Sequence, residues 1–165
     1  MTTLTQEEAH RLFEYKDGEL FWKVKPAQCK KIGDIVGGSN GIKQPYLRGR
    51  YKDNRFMVHQ VVFLMHHGFI PECVDHIDGN VQNNRIENLR QATKAQNAYN
   101  QKLHTNNKSG HRCVSWHKSH QIWVVRLCIN KKNVLTKYFK DFELACLVAD
   151  EARDIYHGNY AYKGA

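Results

Sequence analysis

Between Asn88 and Lys140 the sequence has no acidic residue. Across residues 81–140, twelve Lys or Arg stand against the single acid Glu87, a local charge of +11 in a chain of net +9, so the remainder sums to −2. Solvated surfaces usually intersperse both signs. A run of one sign is instead the footprint expected for a polyphosphate partner. An anionic membrane is the weaker rival, because the stretch carries no basic amphipathic helix. Long apolar runs are also missing. The longest, Leu144-Ala145-Cys146-Leu147-Val148-Ala149, falls far short of the roughly 20 residues a bilayer span needs. The N-terminus shows no charged-then-apolar leader, so a soluble cytoplasmic protein without membrane partners is expected. The five cysteines form no C-x-x-C pair, which argues against a zinc knuckle. They read as reduced, small buried hydrophobes.

With 165 residues, the chain suits one compact domain or two small ones. The periodicities predict an α+β chain. Residues 5–15 read as a short helix, with Thr5 and Glu8 as a capping box, broken at Lys16-Asp17-Gly18. Residues 19–24 read as a strand. A glycine-rich turn, Gly37-Gly38-Ser39-Asn40-Gly41, precedes alternating runs at 46–51 and 55–59, which form a hairpin around Lys52-Asp53-Asn54. Residues 59–67 look helical, closed by Gly68 with Pro71 beyond. A strand at 73–77 ends at Asp78-Gly79-Asn80 and residues 85–90 return as its partner. Thr93 and Gln96 start a helix of about ten residues near Lys94. The polar segment 103–110 reads as a linker. Beyond it, strands at 114–116, 122–129 and 134–139, then a helix from Asp141 to Gly158, predict a three-stranded sheet covered by one helix. Trp123, Val125, Leu127 and Ile129 share one face of the middle strand.

The most informative words are Val74-Asp75-His76-Ile77-Asp78-Gly79-Asn80, Asn83-Asn84-Arg85-Ile86-Glu87-Asn88-Leu89-Arg90 and Gln96-Asn97. Asp75 and His76 are neighbours on a strand and point to opposite faces unless the strand ends, as the Asp78-Gly79 turn makes it do. Asp75 can then face the following helix, whose first turn carries Asn97. Two hard oxygens, completed by water and substrate phosphate, are how Mg²⁺ is usually held. The nitrogen and sulfur ligands that favour zinc are outside this set.

These words, in this order, resemble the His-Asn-His (HNH) family of nucleases over residues 58–99, in particular phage and intron-associated homing endonucleases, whose core is a ββα-metal fold. The resemblance implies a site-preferring DNA endonuclease that hydrolyses phosphodiester bonds with Mg²⁺, or Mn²⁺ in its place, and leaves a 5′ phosphate and a 3′ hydroxyl. It implies His76 as the general base, Asn88 as the residue that orients the His76 ring, and Asp75 and Asn97 as metal ligands. Asn97 stands where the family has its third histidine, a His-Asn-Asn variant that favours Mg²⁺ over zinc. A neutral imidazole suits the task, with an ordinary pKa of about 6.5. His59 is a candidate phosphate contact, with a helix-start or core role standing equally beside it. Asp78, Gly79 and Asn80 read as turn formers, and His66 and His67 as surface. If the chain is phage-encoded, the compartment is the bacterial host's cytoplasm.

Residues 109–165 resemble the apetala-type DNA-binding domain of plant ethylene-response factors. The residues that carry this are His111-Arg112-Cys113-Val114-Ser115-Trp116, Ile122-Trp123-Val124-Val125-Arg126, Lys137-Tyr138-Phe139, and Glu143-Leu144-Ala145 through Ala149-Asp150-Glu151-Ala152 to His157-Gly158. The resemblance implies a sheet laid in the major groove of double-stranded DNA. Cys113 stands where glycine is usual, and Ser115 and Trp116 stand where the plant proteins place arginine readers, so base preference does not transfer. Arg112, Trp116, Lys118 and Arg126 are the expected DNA contacts, with Lys131 and Lys132 as phosphate anchors; a core role stands about equally beside Trp116, and Trp123, on the opposite side of the alternation from Arg126, reads as core. Arg48, Arg50 and Arg55 are either further contacts or solvated strand edges. The expected organisation is an N-terminal α/β extension at 1–57, an HNH core at 58–102, a linker at 103–110 and an apetala-type domain at 111–165. The chain would act as a monomer or a transient dimer on DNA. The competing readings are a DNA-binding regulator with a decayed nuclease core and an RNA-binding accessory protein.

Overall fold

The computed structural model describes residues 4–38, 46–101, 103 and 105–161. The chain divides into two compact units, Met1–Asn97 and Ala98–Ala165. Both mix helices with small antiparallel sheets.

In the first unit, α1 (Gln6–Leu12) starts at Thr5, and both halves of the predicted capping box are present. The helix is shorter than the predicted 5–15. Residues from Phe13 onward form β1 (Phe13–Lys16), paired with β2 (Glu19–Trp22). Asp17 and Gly18 both take positive φ, 51° and 91°. That conformation closes a two-residue hairpin, so Asp17-Gly18 folds the chain back on itself where the sequence suggested a simple helix break. A second hairpin joins β3 (Arg48–Tyr51) to β4 (Asn54–Met57), and α2 (Val58–His67) follows directly. The helix takes over at Val58, one residue before the predicted start, and ends at Gly68 in the left-handed conformation (φ 80°). The glycine-rich turn expected at Gly37-Gly41 lies partly outside the described residues.

A third hairpin pairs β5 (Cys73–His76) with β6 (Leu89–Ala92). Ile86–Asn88 forms a 3₁₀ turn, so the return strand starts later than the predicted 85. The helix α3 (Lys94–Tyr99) has six residues, against the ten expected. Its Thr93–Gln96 capping box is intact, with Thr93 N donating to Gln96 Oε1 at 2.8 Å and Gln96 N to Thr93 Oγ1 at 3.2 Å. One core unites these elements: Leu12, Phe13, Leu20 and Trp22 from the leading segment pack in one cluster with Val58, Val62, Val74 and Leu89. The hairpins are thus carried by α2, and the segments expected as 1–57 and 58–102 share a hydrophobic interior.

In the second unit, β7 (Val114–His117), β8 (Ile122–Ile129) and β9 (Lys132–Phe139) form an antiparallel sheet in that order. Helix α4 (Phe142–His157) is capped by Asp141, whose side chain accepts from Leu144 N at 2.7 Å. Its Ala145 and Ala149 pack on Val114 and Val125. Small residues there let the helix lie close to the sheet. No helix among the described residues is long and apolar enough to cross a membrane.

Candidate functional site

The β5–β6 hairpin sets the register Asp75↔Arg90 and His76↔Leu89. Both Asp75 and His76 are 3% exposed. A buried carboxylate must be paired, and the facing Arg90 supplies the charge: its Nε and Nη2 both lie 2.7 Å from Asp75 Oδ2. The His76 ring is held by Asn84, itself only 1% exposed, with Nε2 3.0 Å from Asn84 Oδ1. Asn84 Nδ2 points to the Gln82 carbonyl, which orients the amide with its oxygen toward the ring. An amide oxygen accepts, so Nε2 donates in this contact.

Asn88 works on the loop. Its Oδ1 accepts from Asp78 N (3.0 Å), and its Nδ2 donates to Asp78 Oδ1 (2.9 Å) and to the Asn83 carbonyl (2.8 Å). Its own carbonyl accepts from Ile77 N at 2.9 Å. Asn88 thus meets the peptide that follows His76, and a side chain on the His76 ring nitrogen is that of Asn84. Asp78, read from the sequence as a turn former, anchors the same loop through Asn80 N and Asn83 Nδ2, each at 2.8 Å. Burial pushes the Asp78 carboxyl up, but the hydrogen bonds from Asn83, Asn80 and Asn88, with His76 nearby, outweigh it and hold the group below the usual carboxylate range. Neither Asn84 nor Asp78 was among the expected site residues. Asn84 lies beside Asn83 in a polar loop, and no periodicity marks it in the sequence.

His59, on the first turn of α2, is buried rather than open to a phosphate. Its ring stands edge-on to His76 at 5.2 Å, and Tyr46 lies 5.2 Å from His59 and 6.2 Å from His76. Its Nδ1 is buried with no hydrogen-bond partner among the described residues. Burial, then the neighbouring His76, pushes its pKa down to about 4. The imidazole is neutral in the folded protein, whereas the unfolded chain takes up a proton below about 6.5. Stability should therefore fall as pH drops from about 6.5 to about 4, by roughly 3 kcal/mol in all. Urea midpoints between pH 7.5 and 4 test this. The wild type should lose more than His59→Phe, and equal slopes would contradict the burial of a neutral ring.

Asn97 sits half-buried on α3. Asp75 and Asn97 offer hard oxygens, the donor type that suits Mg²⁺ or Mn²⁺. Among the described residues no group of three His, Cys, Asp or Glu is placed to hold a metal.

The residues expected on DNA in the second unit do not gather on one face. Trp116 pairs with Trp123, and Val114 with Val125, so all four point to the side that α4 covers. Arg126, next to Val125, points to the open side and is exposed. Trp116 and Lys118 line a common groove. Lys131 and Lys132 are exposed at the β8–β9 turn, where Asn130 and Lys131 take positive φ. Arg112 lines a separate cavity of about 300 Å³ with Arg153 and His157. Burial, then Arg153 and Arg112, holds the His157 imidazole below its ordinary pKa.

Residues 56–99 match the family described as HNH endonuclease. Over 50 residues the chain is 42% identical to Protein 3.8 of Escherichia phage T7, a stretch that covers 30% of this chain and 41% of that protein. The chain thus spans about two fifths of the length of this curated relative. No solved structure matches the chain. The hairpin that holds Asp75 and His76 therefore lies inside the segment, residues 56–99, that is similar to HNH endonuclease domains.

Proposed function

We propose that the chain is a site-preferring, homing-endonuclease-like DNA endonuclease that hydrolyses phosphodiester bonds in double-stranded DNA with a divalent metal. The observation that carries this reading is the paired placement of Asp75 and His76 at the end of one hairpin strand, each held by its own partner, inside the matched segment. In the proposed step, His76 Nδ1 takes the proton of the attacking water. Asn84 keeps the opposite nitrogen protonated and fixes the ring plane. Asn88 and Asp78 hold the loop that follows, and Asp75 with Asn97 would hold the cation. Mg²⁺ or Mn²⁺ held there would supply charge relief to the phosphate undergoing hydrolysis. The second unit supplies affinity. Cys113 takes a left-handed backbone (φ 62°), the conformation that favours glycine. This supports the apetala-type reading, in which glycine is usual at that position. Arg126 on the open face and Lys131 and Lys132 at the hairpin tip are the proposed duplex contacts.

The burial of His76 and the pairing of Asp75 with Arg90 favour a second reading, a DNA-binding protein whose nuclease core no longer cuts. Strand-specific cleavage mapping on phage or genomic DNA separates the two. The endonuclease predicts Mg²⁺-dependent cuts with 5′ phosphate and 3′ hydroxyl ends, at preferred positions and stopped by EDTA. Binding without scission in Mg²⁺ and Mn²⁺ would establish the other.

A further inference from the structure

We propose that a groove at the β7 edge of the second unit binds an unpaired nucleotide of single-stranded DNA, with its base on Trp116 and its phosphates near Lys108, Lys118 and Lys140. The inference rests on the DNA-directed reading above and adds a substrate form that the duplex contacts do not cover.

The groove has a volume of about 790 Å³, within the range of pockets that bury a small ligand. Its floor is aromatic. The Trp116 and Trp123 rings meet at 4.9 Å and 60°. Trp123 in turn packs on Phe142, with ring centroids 4.5 Å apart. Trp116 is 45% exposed, a large indole surface left open beside a packed one. The rim is basic: Lys108, Lys118 and Lys140 all line it and all are exposed. No carboxylate lines the groove among the described residues, and none of the three lysines is in an ion pair there. An apolar peptide would leave three ammonium groups uncompensated. A chain that alternates flat aromatic bases with phosphates satisfies both features, and this combination is how sequence-tolerant single-strand sites are built. A base inside a duplex cannot offer its face to an indole, so the occupant must be unpaired. The register also places this groove on the α4 side of the sheet, away from the open face that carries Arg126.

The test is a fluorescence titration of the full chain with an oligothymidylate of about 12 nucleotides, run in EDTA so that no cleavage occurs. Stacking on the exposed indole should quench tryptophan emission. Trp116→Ala should lose the quench and weaken binding by about tenfold. Trp116→Tyr should restore most of the affinity. Lys118→Gln and Lys140→Gln should each lower the slope of log affinity against log salt by about 0.7. Absence of quench in the wild type overturns the proposal. So does an equal quench by blunt duplex, or unchanged affinity in both Trp116→Ala and the lysine variants. The endonuclease reading fails on a different observation, the lack of Mg²⁺-dependent scission, which this titration does not involve.

Discussion

His76→Ala is expected to lose cleavage by about 10²–10⁴-fold while keeping its affinity for DNA, because a general base contributes on that scale and makes no net charge contact with substrate. The measurement is single-turnover cleavage at saturating DNA beside a gel-shift titration of the same preparations. The structure adds a second arm. Asn84 Oδ1 is a side-chain acceptor on the His76 ring at 3.0 Å, and Asn84 is almost wholly buried. Asn84→Asp keeps an acceptor there, whereas Asn84→Leu removes it and releases the tautomer. Asn84→Asp should therefore retain activity far better than Asn84→Leu, with equal DNA affinity in both. The pH–rate profile of the Leu variant should shift relative to wild type, because the orienter of the base is gone. A purely structural Asn84 would alter stability and leave the shape of that profile unchanged. If His76→Ala cuts at the wild-type rate, His76 is a core histidine packed against His59 and Tyr46, and the base lies elsewhere.

What could be read from the sequence follows the range of the forces involved. Local rules held where the controlling atoms are a few residues apart: the Thr5–Glu8 and Thr93–Gln96 boxes, the Gly68 cap and the Asp141 cap are all present. The failure at 13–16 has the same physics seen from the other side. Phe13 and Tyr15 continue the apolar pattern of the helix, but Asp17-Gly18 closes a hairpin with β2, and pairing with Trp22 and Leu20 wins. In the site, Asp75 and His76 were legible because they are adjacent and sit in a dense motif. The Arg90 partner of Asp75 depends on strand register, and the Asn84 partner of His76 on the path of a polar loop. Neither leaves a periodic trace. The neutral character of His59 was hidden for the same reason, since it arises from burial against Tyr46 and His76, residues 13 and 17 positions away in a folded cluster. In the second unit, period-two alternation placed Trp123 and Arg126 on opposite faces, but only the β7–β8 register puts Trp116 with Trp123.

Asp75→Asn should reduce metal-dependent cleavage by at least about 100-fold, since even the partners of metal ligands cost 10–100-fold when removed. Asp75→Ala is a poorer probe. It leaves the Arg90 guanidinium, largely buried at the hairpin, without its carboxylate, a loss on the order of 3–5 kcal/mol that would confound any activity measurement. Asn keeps the volume and one oxygen, so the fold is retained while the charge is removed. Arg90 Nε and Nη2 both meet Asp75 Oδ2. Arg90 then acts as the partner that aims a ligand, and Arg90→Gln should raise the Mg²⁺ concentration for half-maximal rate by about 10–100-fold. It should do so without the deeper loss seen in Asp75→Asn. The two roles of Asp75 separate in a metal titration. A ligand variant changes both the midpoint and the plateau, whereas a carboxylate that serves only as the counter-charge of Arg90 changes thermal stability alone. Wild-type midpoint and plateau in Asp75→Asn, with a lowered melting temperature, would assign Asp75 to the fold and leave the HNH domain without its proposed metal ligand.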